Sequence, residues 1–157
     1  MREVRRLSAE EERAWQGYRR MRTLLDLQLA RDLAQDSHLS ESDYDVLSTL
    51  TQKAGRSWRA SELAGQLLWS TSRLAHHLGR MERRGLIARG ECAEDGRGAT
   101  VTVTEAGQAA LRAAAPGHAE SVRRHFIDLL TPDEVQALAS MAGKVLEHLA
   151  EPGSRVS

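Results

Sequence analysis

The sequence predicts a mainly α-helical fold carrying one small β-wing, and three observations carry that expectation. Long segments repeat apolar residues at helical spacing and open on Ser or Thr caps. Residues 59 to 104 run as a short helix, a tight turn and a longer basic helix. Beyond Gly85, the stretch Ala99 to Thr104 alternates valine with threonine, the period of a half-buried strand. Together these make a winged helix-turn-helix flanked by helices on both sides.

Each element has its own signal. Ser8-Ala9-Glu10-Glu11 is a capping box, and the helix it opens can run to about Gln35 without meeting a proline. Trp15, Tyr18, Arg22, Leu25, Leu29 and Leu33 share one face of it, while Leu24 and Leu27 lie on the other. A helix apolar on two sides must be covered on two sides, which implies a partner subunit. Ser40 to Asp43 opens a second helix with Tyr44, Val46, Leu47 and Leu50, expected to end near Gly55. Arg59 to Leu67 forms the third, with Leu63, Ala64 and Leu67 inward. The fourth begins near Ser70 and stops at Gly85, as helices do at a C-terminal glycine.

Leu86 to Glu91 and Ala99 to Thr104 are the wing strands, joined by the turn Ala93 to Gly98. Val101 and Val103 point one way, Thr100, Thr102 and Thr104 the other. Thr104 can cap an Ala-rich helix from Glu105 that Pro116 should kink or interrupt. Thr131-Pro132-Asp133-Glu134 is a second capping box, with proline at the first helical position. The last helix bears Val135, Leu138, Ala142, Val145 and Leu149 on a broad apolar band. The expected organisation is an N-terminal dimerisation helix (1–39), a winged unit (40–104) and C-terminal dimerisation helices (105–157) within one compact domain.

Composition narrows the class. An apolar content of 41% suffices for a core, and 28% charged residues suit a soluble chain. No apolar run approaches a bilayer span, and MREVRRLSAEEER lacks the apolar core of a secretory signal, so a cytoplasmic location is expected. Cys92 is the single cysteine, which excludes an intrachain disulfide and cysteine-rich zinc frameworks. The net charge is zero, yet its distribution is uneven. Between Ser70 and Gly90 stand Arg73, Arg80, Arg83, Arg84 and Arg89 against the single acid Glu82. From Glu105 onward seven acids face five Lys and Arg. A cationic face on a neutral body fits a DNA binder.

On the fourth helix, Leu74, Leu78 and Met81 must face the core. Opposite lie Ser72, His76, Gly79 and Arg83, with Arg73 and Arg80 at one flank. Hydroxyl, imidazole and guanidinium groups are the types that donate to guanine edges and phosphates. Arg59 and the helix-opening Ser70 and Thr71 join this set of DNA-binding candidates. His77 sits nearer the core edge and reads as a structural or pocket group. At the wing tip, Arg97 between glycines can enter a narrow minor groove, with Asp95 bracing the turn or the guanidinium.

ELAGQL, then TSRLAHHLGRMERRGLIAR, EDGRG and VTVTEAGQAAL resemble the MarR family of bacterial transcription regulators over nearly the whole chain. RMERRGLIxR and the VTxTEAG junction are the most specific elements. Where the family's wing usually has further basic residues, this chain has Gly96 and Gly98, which leaves more of the wing's contact to Arg97. The resemblance implies a homodimer on a palindromic double-stranded DNA operator and repression relieved by a small phenolic or carboxylate ligand. It implies a ligand pocket between the dimer helices and the winged unit, with Trp15, Tyr18, Arg22, His38, Tyr44 and Trp69 as candidates. Trp, Tyr and Arg can hold an aromatic acid by stacking and by a bidentate carboxylate contact.

Competing readings are a winged module that docks a protein, and a regulator responding to zinc or to oxidation. The outer face of the fourth helix shows Ser, His, Gly and Arg, not the apolar anchors a protein-docking face needs. The six histidines lack a compact ligand spacing, so neither a metal nor a cofactor is expected. Cys92 lies in a wing strand with no second cysteine to resolve a sulfenate. An enzyme is not expected either: there is no Gly-rich phosphate loop and no nucleophile elbow. Asp43 with Asp45 and Asp133 with Glu134 read as first-turn acids that favour the helix dipole.

Overall fold

A computed structural model describes residues 5–91 and 98–150. The elements run α1 (Ala9–Ser37), α2 (Glu41–Leu50), β1 (Ser57–Arg59), α3 (Ala60–Leu67), α4 (Thr71–Arg83), β2 (Ile87–Glu91), β3 (Ala99–Val103), α5 (Glu105–His125) and α6 (Pro132–Ala150), with a 3-10 turn at Ile127–Leu129. They divide into two compact units, one through Ala119 and one from Glu120.

Caps set the helix boundaries of the first unit. Ser8 and Glu11 form the expected reciprocal capping box of α1, and Ser40 with Asp43 forms another at α2. Ser70 accepts from the Arg73 amide to open α4. Gly85, at φ 73°, ends that helix. The Leu86 amide reaches back to the Met81 carbonyl and the Gly85 amide to that of Glu82, the bond pattern of a Schellman stop. Val46, Leu47 and Leu50 from α2, Leu63 from α3, Leu74, Leu78 and Met81 from α4, and Ile87, Val101 and Val103 from the sheet make the core.

The sheet is antiparallel in the order β1-β3-β2. Val101 and Val103 point into the core, and Thr100 and Thr102 stay partly exposed, as the alternation predicts. Two expectations change and one element is new. The second helix ends at Leu50, well short of Gly55. Strand β1 pairs Ser57 with Thr102 and Trp58 with Val101, a long-range pairing that no local signal announces. Pro116 neither breaks nor ends α5, which is continuous from Glu105 to His125. A proline removes one backbone bond, and in a helix of 21 residues the flanking turns keep the others.

Helix α5 starts against the wing. Thr104 Oγ1 accepts from the Gly107 amide at 3.0 Å and donates to the Gly85 carbonyl at 2.6 Å. In the second unit, Arg123 pairs with Asp128 at 2.6 Å, and Thr131 with Glu134 caps α6 behind Pro132. No helix among the described residues is long and apolar enough to cross a membrane.

Candidate nucleic-acid interface

Helix α4 shows two chemistries on opposite sides. Leu74, Leu78, Met81 and His77 are buried, while Ser72, Arg73, His76, Arg80 and Arg83 are exposed. The split follows from the 3.6-residue period, which puts residues 74, 77, 78 and 81 on one stripe. A cleft of about 230 Å3 opens between the start of α3, the N-terminal half of α4 and the wing, and Arg59, Thr71, Ala75, Arg89 and Ala99 stand around it. The structure therefore brings Arg59 and Thr71 together at this cleft, whereas Arg73, His76, Arg80 and Arg83 stand on α4 outside its lining. Asp95 and Arg97, like Cys92, lie outside the described residues.

The arginines differ in what holds them. Arg73 lies over the Trp69 ring, 4.1 Å from its centroid. Arg80 donates to Nδ1 of His77 at 2.9 Å. Arg89 pairs with Glu82 at 2.6 Å and packs beside Gly79. Arg84 donates to Asp43 Oδ2 at 2.6 Å and to the His38 carbonyl at 3.1 Å. Two of the five arginines that make this segment cationic are thus tied to acids of the chain itself. For Arg84 that partner is one which its place in the cationic run does not announce.

Asp43 is the residue that the sequence reading undervalued. It is 2% exposed, completes the α2 capping box and receives Arg84. Its carboxylate also lies 3.0 Å from Nε2 of His77. Burial alone would raise its pKa, but the bonds from Arg84 and the Ser40 amide outweigh burial and hold it below the ordinary carboxylate value. His77 is pushed below its ordinary value mainly by burial, with Asp43 pulling up and Arg80 and Arg73 pushing down. An acid at the third position of a helix is a common capping signal, so sequence alone gives no sign of this second role.

The ligand candidates fall into separate groups. Trp15 and Tyr18 stack at 5.8 Å on exposed α1, with Arg22 5.7 Å from the Tyr18 ring. His38 is the left-handed cap at the far end of that helix. At 1.5 Å per residue, Arg22 and His38 are roughly 24 Å apart, so within one chain they cannot line one small pocket. Tyr44 packs on His118 at 4.5 Å, and Trp69 meets His77 edge-on at 5.6 Å. Among the described residues no group of three His, Cys, Asp or Glu could hold a metal ion.

Known proteins share this arrangement. No protein-family model matches the chain. AbsC of Streptomyces coelicolor, a MarR family transcriptional regulator, is 39% identical, with a TM-score of 0.88 over 93% of this chain and 98% of its own. Sco3205 of the same organism, a MarR family regulator solved in complex with DNA, is 34% identical, with a TM-score of 0.92 over 99% and 97%. The regulator PecS of Dickeya dadantii is 29% identical over 115 residues, covering 71% of this chain and 67% of its own. With identity above 30% across nearly the full length of two such regulators, this chain belongs to the MarR family of DNA-binding transcription regulators.

Proposed function

We propose that two copies of this chain form a dimer that represses transcription from a palindromic operator and leaves it when a small aromatic or carboxylate ligand binds. The observation that carries the reading is the exposed stripe of Arg73, His76, Arg80 and Arg83 on a helix whose other side is core. In this reading Ser70, Thr71, Ser72, Arg73 and His76 meet base edges and nearby phosphates. Arg80, Arg83 and Arg59 meet the backbone, and Arg97 with Asp95 meets the adjacent minor groove. The site of action is the cytoplasm, where such an operator resides.

Dimerisation is supported by apolar surface on both terminal segments. Trp15, Met21, Leu24 and Leu27 are each about half exposed on α1, and Met141, Val145 and Leu149 form an exposed stripe on α6. Large apolar side chains in series mark an interaction surface. We accordingly assign residues 1–39 and 105–157 to the dimer and 40–104 to DNA. The ligand reading is supported by aromatic rings paired with cations, Trp15-Tyr18-Arg22 on α1 and Trp69-Arg73 at the head of α4.

Sedimentation of the chain with and without a duplex enriched from random sequence tests the reading. Two copies per duplex, released by a benzoate-class or phenolic acid, are expected. One copy per duplex would end the dimer reading, and indifference to every such acid would end the ligand reading.

A further inference from the structure

Arg80 stands on the exposed flank of α4, yet its guanidinium is already engaged. The bond from its Nη2 to Nδ1 of His77 is 2.9 Å long. An arginine nitrogen only donates, so Nδ1 must carry the lone pair and the ring proton must sit on Nε2. That nitrogen faces Oδ1 of Asp43 at 3.0 Å. The approach is off the N–H axis, so it acts through charge more than as an aligned hydrogen bond. Asp43, itself paired with Arg84, faces the ring from the core side, Arg73 and Arg80 act on it from α4 itself, and Trp69 meets it from the turn before that helix. Helix α1 joins through the His38 carbonyl, which accepts from Arg84.

We propose that His77 is a positioning residue for DNA recognition: its neutral, Nε2-protonated ring, braced by Asp43, holds Arg80 in the orientation that meets the duplex. The proposal rests on the reading of α4 as the DNA-contacting helix. Arginine has many rotamers, and one held before binding loses less entropy on binding. Protonation of His77 removes the only acceptor offered to Arg80 by that ring and sets two cations against each other. Arg80 then swings free. Burial and the two arginines hold the ring's pKa below its ordinary value, so the ring is neutral at neutral pH and the bond opens only on acidification. Acid therefore lowers sequence discrimination.

The full chain is titrated with two probes at fixed salt between about pH 8 and about pH 5, the range in which histidine changes charge. One probe is the duplex that the wild-type chain enriches from random sequence. The other is a scrambled duplex of the same composition. The expected result is a fall of about tenfold in the affinity ratio between the two, the scale of one lost contact. His77→Gln keeps an acceptor and a donor without titrating, so its ratio should stay high and flat. His77→Leu should show a low ratio at every pH. A wild-type ratio that does not change with pH, or a His77→Gln ratio that falls with it, overturns the proposal. Should His77→Leu melt early, the wild-type and His77→Gln profiles decide alone.

Arg80→Ala separates the two levels. An unchanged ratio in that variant ends the DNA reading of Arg80 and the proposal with it. A lost ratio in Arg80→Ala beside a normal one in folded His77→Leu ends the positioning role and leaves the DNA reading standing. Nitrogen-15 spectra of histidine-labelled free protein give a readout that needs no DNA. An Nε2–H tautomer at His77 is expected above its pKa, and an Nδ1–H tautomer overturns the proposal.

Discussion

Arg84 closes α4 by donating to Oδ2 of Asp43 at 2.6 Å, and so ties the end of that helix to the capping box of α2, 41 residues earlier. The carboxylate is buried while Arg84 is 43% exposed at its side chain, so the pair is desolvated on one side only. Helix α4 is thereby clamped at its C-terminal end, and at His77 about two turns before it, by a single acid.

Asp43→Ala should therefore cost more than a lost cap. A missing capping residue accounts for about 1 kcal/mol. Stranding Arg84 and His77 adds to that, within the roughly 3–5 kcal/mol seen when a fully buried pair is broken. Because Arg84 is half solvated, a total of about 2–3 kcal/mol is expected in urea unfolding, with the m-value unchanged. A loss no greater than that of Ser40→Ala would show that Asp43 only caps α2.

Stability should also fall in mild acid. The folded His77 has a pKa below its ordinary 6.5, so the folded state favours the neutral ring. Above 6.5 neither state binds the proton and stability is level. As pH drops through that value the unfolded chain takes a proton that the folded chain refuses, and stability declines until the folded pKa is reached. Asp43, lowered from 3.8, adds a second loss below that pH. Glu41 and Asp45, both raised chiefly by burial, oppose the decline between the two windows. Chemical denaturation of wild type and His77→Gln across pH checks the first window, since the variant should lose that slope.

Gly107 is needed for space. A Cβ there would overlap the Leu86 carbonyl oxygen, where α5 passes the start of the wing. Backbone cannot yield as a side-chain tip does, so Gly107→Ala should cost about 1–3 kcal/mol or more, the range for overpacking. A thermal melt unchanged from wild type would contradict that close approach.

Leu68 presents the opposite case. It holds φ 55° at the end of α3 and is 91% exposed, so it has backbone strain and little packing to lose. Leu68→Gly should raise stability by up to about 1 kcal/mol, the left-handed penalty less the entropy glycine adds to the unfolded chain. A destabilised variant in calorimetry would mean that the leucine makes a contact its exposure conceals.

Local signals made most of this fold legible. Ser8, Ser40, Ser70 and Thr131 mark helix starts because a cap acts within three residues, and Gly85 marks a stop for the same reason. The face of α4 follows from its period. Features that depend on distant partners were out of reach: β1 exists because Trp58 pairs with Val101, and Arg84 turns inward because Asp43 waits there. Counting arginines along the segment cannot show that Arg84 and Arg89 pair with Asp43 and Glu82. At Pro116 the local rule allowed a kink or an interruption, and α5 runs past it uninterrupted because the flanking turns keep their bonds.

In the proposed function, operator recognition depends on α4 reading DNA from a symmetric pair of chains. Enrichment of duplexes from random sequence, followed by sequencing, addresses that most directly. Inverted half-sites with centres about one helical turn, ~34 Å, apart are predicted, with the preferred bases blurred by Arg73→Ala and the salt dependence reduced by Arg83→Ala. Unsymmetrical single sites, or preferences unchanged in Arg73→Ala, would contradict it.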